Sequence, residues 1–273
     1  MTLTATDYQF IREMLREDSA IALDDDKEYL VRARLTPMMH REGLSTLTEL
    51  IALVRAGSPQ LRMDVVEAMT TNETSFFRDV HPFDALRRDI LPELLAASPR
   101  PLRLWSAAAA TGQEAYSLSM MMRDSFPAQP PPAIFATDIS NAALAQGREG
   151  YYSQQEVNRG LPIRSLVRHF EQLGRGWRIS EELRQQVHWR QLNLAAPWPP
   201  IPPMDLILLR NVLIYFEQDV RAEVLLRATR VLRPGGYLLL GTTESSVGTL
   251  PELERITIDR ALFFRKSIAG RPG

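Results

Sequence analysis

A chain of 273 residues with 45% hydrophobic and 24% charged residues and a formal net charge of −1 has the make-up of a soluble protein with one large or two ordinary domains. The near-zero charge argues against a nucleic-acid binder, which carries a basic excess to neutralise phosphates. The absence of Cys excludes disulfides, thiolate metal sites and a cysteine nucleophile. Met1 to Tyr8 show neither a basic n-region nor an apolar h-region, and the apolar run Leu206 to Phe216 is broken by Arg210 and Asn211. No run approaches the roughly 18–20 residues that span a bilayer, so a cytoplasmic protein with no membrane insertion is expected.

Residues 1–80 read as a helical domain. Tyr8, Phe10, Ile11, Met14 and Leu15 recur at helical spacing, as do Tyr29, Leu30, Ala33, Leu35 and Met38. Leu47, Leu50, Ile51 and Val54 form a third stripe, ended by Ala56-Gly57-Ser58-Pro59, and Leu61, Val65, Val66 and Met69 a fourth. A helix over 82–96 opens a second domain, 81–273, in which strands and helices alternate. Strands are expected at 102–106, 133–138, 205–209 and 237–242, and helices at 113–125, 140–147 and 217–232. That order implies a mostly parallel, doubly wound sheet. Thr257-Ile258 and Leu262 to Arg265 suggest a final antiparallel strand. Apolar and polar residues alternate in Trp177 to Ser180 and again in Val187 to Leu192, which reads as a small antiparallel β subdomain over 176–194.

The segments that bear on chemistry cluster at strand ends. Ala107 to Gly112 joins the first strand to a helix through small residues, which let a ligand approach the backbone. One glycine is too few for a dinucleotide fingerprint. Glu114, in the first helical turn, would repel a pyrophosphate but suit a cationic amine, which points to S-adenosylmethionine; the loop could equally be an ordinary tight turn. Asp138 ends the second strand, where a carboxylate can accept from ribose hydroxyls or cap the next helix. Asn193 could read an adenine edge or fill a turn. Asn211 and Tyr215 follow the strand from Asp205, at the end where ligands sit in such sheets, though Tyr215 could also be a core tyrosine. Arg78 follows Phe76-Phe77 and the polar Asn72 and Thr74, a setting unlike that of an ordinary solvated Arg. The four His show no metal-ligand spacing, and no metal is expected.

Thr71-Asn72-Glu73-Thr74-Ser75-Phe76-Phe77-Arg78, Trp105-Ser106-Ala107, Thr111-Gly112-Gln113-Glu114-Ala115-Tyr116-Ser117, Ala136-Thr137-Asp138-Ile139, Asn193-Leu194, Arg210-Asn211-Val212-Leu213-Ile214-Tyr215-Phe216 and Pro234-Gly235-Gly236 occur in that order. Together they resemble the CheR family, the S-adenosylmethionine-dependent glutamate methyltransferases of bacterial chemotaxis receptors. The resemblance implies an α/β fold: a Rossmann-like methyltransferase domain with a small antiparallel β subdomain, preceded by an all-α N-terminal domain. It implies that Asn72, Thr74 and Arg78 line the cofactor and substrate cleft, that Glu114 holds the methionine end and Asp138 the ribose, that Asn193, Leu194 and Asn211 contact the adenosyl part, and that Tyr215 faces the transferred methyl. S-adenosylhomocysteine would be the product. Two departures stand out. Gln113 replaces an acid common in the family, and Glu171 to Gly176 is short beside members that dock on a receptor's C-terminal pentapeptide.

The implied reaction moves a methyl to glutamates of a chemoreceptor's cytoplasmic coiled coil, giving methyl esters in chemotactic adaptation. A monomer independent of the pentapeptide tether is expected, with Arg78 and Tyr215 as the catalytic pair. A basic face of Lys27, Arg32, Arg34 and Arg41 could steer acidic receptor helices, or be balanced by Asp24 to Asp26 and Glu28. The rival readings are a cofactor-binding regulatory or scaffold protein with little turnover, and a nicotinamide-dependent oxidoreductase, which the single-glycine loop and Glu114 oppose.

Overall fold

Three helices in the N-terminal third begin where a side chain satisfies a free N–H group of the first turn. Thr4 accepts from Asp7 N to start α1 (Ala5–Ser19). Following α2 (Glu28–Arg41), Thr46 and Glu49 form a capping box on α3 (Leu47–Arg55), and Ser58 with Pro59 opens α4 (Pro59–Met69). The computed structural model describes residues 3–244 and 252–268; the outermost ends of both expected domains, residues 1–2 and 269–273, lie outside it. Among the described residues, no helix is long and apolar enough to cross a membrane.

The chain forms two compact units. The first comprises residues 1–71 together with 193–197 and 215–221. Its core is built from Ile11, Met14, Leu15, Val31, Leu35, Met38, Met39, Leu50, Ile51, Val65, Val66 and Met69. The stripe on α2 is therefore 31/35/38/39 and not the expected 29/30/33/35/38, because Tyr29 is 64% exposed. The two downstream pieces are tied to the end of α1 and the residues after it: Asn193 Nδ2 donates to Asp18 O at 2.6 Å, Ala22 N to Tyr215 O at 3.0 Å, and Arg16 pairs with Glu217 at 2.6 Å.

The second unit comprises residues 72–192, 198–214 and 222–273. The expected helix over 82–96 is α5 (His81–Ala85), a π-helical turn (Leu86–Ile90) and α6 (Leu91–Ala97). Pro92 has no N–H for the ladder, and Leu91 N reaches back five residues to Leu86 O. Then follow β1 (Arg103–Ala107), α7 (Gln113–Ser125), β2 (Ala133–Asp138), α8 (Asn141–Glu149), β3 (Tyr151–Ser153), α9 (Gln154–Asn158), α10 (Ile163–His169), β4 (Phe170–Leu173), β5 (Gly176–Ile179), α11 (Glu181–Gln185), β6 (Val187–Gln191), β7 (Met204–Leu209), α12 (Gln218–Val231, whose first turn belongs to the helical unit), β8 (Leu232–Leu240), β9 (Leu253–Ile258) and β10 (Ala261–Lys266).

Seven strands form one sheet in the order β6-β2-β1-β7-β8-β10-β9. The first five are parallel, and β10 runs antiparallel between β8 and β9. Every residue of β7 is buried, as a strand covered on both faces should be. The order reverses between β1 and β7, which opens a crevice at their carboxyl ends.

The small β subdomain differs from the expectation of 176–194. It is a three-stranded antiparallel sheet of order β3-β5-β4, so it starts at Tyr151 and ends at Ile179. Residues 187–191 instead pair in parallel with β2 as an edge of the large sheet, Ile134 opposite Val187 and Asp138 opposite Gln191. Alternation marks a strand with one covered face; it does not name the partner. Residues 72–80 also join this unit, which moves the boundary from 80 to 71.

Candidate active site

Loop, strand ends and a buried ion cluster converge at the switch point of the large sheet. The loop from β1 to α7 is folded tightly: Ala108 and Ala110 have φ of 58° and 48°, and Gly112 φ of 93°. A Cβ on Gly112 would sit 2.4 Å from the Trp189 ring, so glycine is required there for space as well as for backbone. The loop is held to the next strand end by Ala109 N donating to Thr137 O at 2.9 Å and Ala110 N to Asp138 Oδ2 at 2.8 Å. Asp138 is buried, and its other oxygen accepts from Ser140 N at 2.9 Å. Its carboxylate thus organises both neighbouring turns. Ser140, not Asp138, caps α8.

Glu114 is not a free acid. It is buried, accepts from Ser106 Oγ at 2.9 Å through Oε1, and pairs with Arg210 Nη1 at 2.9 Å through Oε2. Arg210, with a side chain 1% exposed, also donates to Asp79 Oδ2 at 2.7 Å and to Arg78 O at 3.2 Å, and lies over Phe83. Two carboxylates around one guanidinium leave the cluster at −1. Sequence reasoning did not assign Arg210, whose partner Glu114 stands 96 positions away; its place in the motif after β7 was the only signal.

The segment carrying Asn72, Thr74 and Arg78 is fixed to the same cluster. Phe77 N donates to Ser117 Oγ at 2.9 Å, and Phe76 is fully buried against Tyr152 and Phe170. Phe77, Asp79 and Val80 have φ of 46°, 69° and 53°. For the β-branched Val80 this is strained backbone, maintained by what surrounds it. Arg78 donates to Glu73 O at 3.1 Å, and the guanidinium of Arg159 holds the Glu73 carboxyl below its ordinary value. At the end of β7, Asn211 is left-handed at φ 58°, and its buried Oδ1 has no hydrogen-bond partner among the described residues.

Glu114, Asp138 and Asn211 are therefore brought together by the large sheet, with Arg78 linked through Arg210. Asn193, Leu194 and Tyr215 belong to the helical unit. There Asn193 Oδ1 accepts from Ala195 N at 2.9 Å, so its amide closes a turn as well as reaching Asp18. Arg32, Arg34 and Arg41 of α2, and Lys27 just before it, have partners within the helical unit. Arg32 pairs with Glu28, Lys27 with Asp26, and Arg41 with Glu42 and Asp64. Arg34 donates to Met69 O, Thr70 O and Thr71 Oγ1 at the end of α4. Burial lowers the Arg34 guanidinium from its ordinary value, and the phenol of Tyr215 acts against that shift.

A parallel sheet with buried carboxylates after β1 and β2, and a guanidinium already committed to two acids, defines a doubly wound α/β domain suited to a cationic nucleoside and poorly suited to a pyrophosphate. Comparison with known proteins agrees. Residues 72–261 match the family model described as CheR methyltransferase, SAM binding domain, and residues 6–70 match CheR methyltransferase, all-alpha domain. The chain belongs to the CheR methyltransferase family, and S-adenosylmethionine is its cofactor. Chemotaxis protein methyltransferase 1 of Pseudomonas aeruginosa is 39% identical over 260 residues, covering 92% of this chain and 94% of that protein. Chemotaxis protein methyltransferase of Vibrio anguillarum is 37% identical over 271 residues, 97% of this chain and 98% of that one. Chemotaxis protein methyltransferase Cher2 of Pseudomonas putida is 39% identical over 256 residues, 90% and 92%. The site's donor set fits the cofactor: acids for a cation, and the orphaned Asn211 Oδ1 as an acceptor.

Proposed function

We propose that this methyltransferase acts on glutamate side chains of chemoreceptor cytoplasmic helices, forming glutamate methyl esters. The observation that carries the reading is identity of 36–39% to chemotaxis protein methyltransferases over nearly the whole chain. The acidic cluster around Glu114 supports it. S-adenosylmethionine, when bound, supplies an electrophilic methyl on a sulfonium. Glu114, as a member of a cluster with a net charge of −1, would attract the ammonium of the methionine end. Asp138 accepts from the ribose, and Asn193, Leu194 and Asn211 contact the adenosyl part. Asn72, Thr74 and Arg78 line the cleft.

A glutamate side chain has a pKa of about 4.3 and is ionised at neutral pH, so the chain need supply no general base. Its work is alignment and exclusion of water, since charge disperses as anion meets cation and a wet site would favour the separated ions. Arg78 orients the incoming carboxylate, and Tyr215 steers the approach. The β4–β5 turn consists of Gly174 and Arg175 alone, with Leu173 opposite Gly176. That short turn supports action without a pentapeptide tether.

The test is transfer of label from S-adenosyl-[methyl-³H]methionine to receptor-bearing membranes. Label released as methanol by mild alkali, lost when the receptor's target glutamates are glutamines, and retained when its last five residues are deleted, is expected. Alkali-stable label, or none, would overturn the glutamate reading; loss on deleting the five residues would overturn tether independence.

A further inference from the structure

Glu244 has no role in the chemistry above, yet its carboxylate gathers four backbone N–H groups among the described residues. It ends a 3₁₀ turn after β8 and is 4% exposed. Oε2 accepts from Asn211 N and from Gly241 N, both at 2.8 Å, while Oε1 accepts from Leu213 N at 2.7 Å and Ile214 N at 3.4 Å. All four hydrogen bonds come from backbone N–H groups, three of them from the loop after β7. None of these partners is a cation, so the N–H groups themselves hold the buried charge.

A second observation shows that the contact is built. A Cβ on Gly241 would lie 2.6 Å from Glu244 Oε2, 2.9 Å from Asn211 N and 3.0 Å from Asn211 Nδ2. Only glycine lets the carboxylate reach the loop. That loop carries Asn211, left-handed and with an unpartnered buried oxygen, and it runs through Leu213 and Ile214 directly into Tyr215.

We propose that Glu244, admitted by Gly241, is a positioning residue: it gathers the backbone of Asn211, Leu213 and Ile214 into the conformation that presents Asn211 to the cofactor. The assignment rests on the reading of Asn211 as a cofactor contact. The geometry makes Gln a disruptive replacement despite its size. Whichever way the amide turns, its NH₂ faces two N–H donors, either Asn211 and Gly241 or Leu213 and Ile214. Asp keeps the charge on a shorter arm.

The experiment uses the full chain and the variants E244Q, E244D and G241A. S-adenosylhomocysteine affinity is measured by calorimetry well below each melting temperature, alongside receptor methylation kinetics and thermal melts. E244Q and G241A are expected to melt cooperatively, to bind S-adenosylhomocysteine about 10-fold more weakly, and to turn over about 100-fold more slowly, the scale of a misplacement near 1 Å. E244D is expected to fall between them and the wild type. A lowered melting temperature with unchanged affinity and turnover would mean a merely structural carboxylate and would overturn the proposal. Should E244Q and G241A not fold, E244D decides on the same two readouts. If the wild-type chain binds S-adenosylhomocysteine but leaves receptors unlabelled, the glutamate reading fails, and the affinity series still tests Glu244.

Discussion

Replacing Arg210 with Met keeps most of the side chain's volume and removes its charge. The structure says what is left behind. The Glu114 side chain is 11% exposed and would lose its 2.9 Å cationic partner, while Asp79, 37% exposed, retains water. The Asp79 pair is screened and contributes at most about 1 kcal/mol. Breaking a buried pair from one side costs about 3–5 kcal/mol, because the remaining charge is uncompensated. Arg210→Met should therefore lose about 3–5 kcal/mol, nearly all through Glu114, from a total stability on the order of 5–15 kcal/mol. Urea unfolding followed by tryptophan fluorescence suits the test, since Trp105, Trp177, Trp189 and Trp198 all lie in the larger unit. The decisive comparison is the double variant with Glu114→Gln. Removing both charges should recover about 1–3 kcal/mol relative to Arg210→Met alone. Were Arg210→Met to change stability by less than about 0.5 kcal/mol, or the double variant to be no more stable than Arg210→Met, the cluster would not be the organising charge described here.

Three other outcomes are expected. Asp138→Ala leaves the N–H groups of Ala110 and Ser140 without their carboxylate; calorimetry should show S-adenosylhomocysteine binding weakened about 10- to 100-fold, and affinity within twofold of wild type would remove Asp138 from the site. Gly112→Ala forces a methyl into the Trp189 ring at a left-handed backbone position, so the melt should report a loss of about 1–3 kcal/mol; a neutral result would mean the loop can relax away from the ring. Tyr215→Phe should lower kcat about 10-fold, the rate equivalent of one lost hydrogen bond of about 1.4 kcal/mol, while leaving S-adenosylhomocysteine affinity unchanged; a change confined to affinity would place Tyr215 in binding instead.

The sequence was most legible where a local rule decides the outcome. The helix at 113–125 and the strand at 133–138 have the expected bounds, since the first is opened by Gly112 and the second is an apolar run ended by an acid. Non-local pairing was less legible. Val187 to Gln191 alternates as any half-covered strand does, and nothing in it distinguishes a hairpin with 176–179 from the parallel edge it forms on β2. Strands β3 and β4, of three and four residues, are too short for a period to register. In the site, Asp138 could be singled out because an acid that ends a strand is suggestive by position alone. Arg210 was not, because a lone Arg acquires its meaning from Glu114 and Asp79, and those contacts exist only once the sheet is assembled. Glu114 was accordingly read as a bare acid, whereas the folded chain makes it one member of a three-residue cluster.

Tyr152 belongs to the small sheet, yet its hydroxyl donates to Thr111 O at 2.8 Å and its ring meets Phe76, Tyr116 and Phe170. Burial raises its phenol far above the ordinary value, so it stays a neutral donor to that loop carbonyl. The three-stranded appendage is thus not a detachable module: excised, it would forfeit its principal aromatic contacts, and transplanted onto another scaffold it would need Phe76 and Tyr116 to travel with it. Selection that remodels the outer rim of this appendage can proceed freely at Leu173, which is half exposed, but a shift of one residue in β3 would turn Tyr152 outward and unsettle the turn that precedes Gly112.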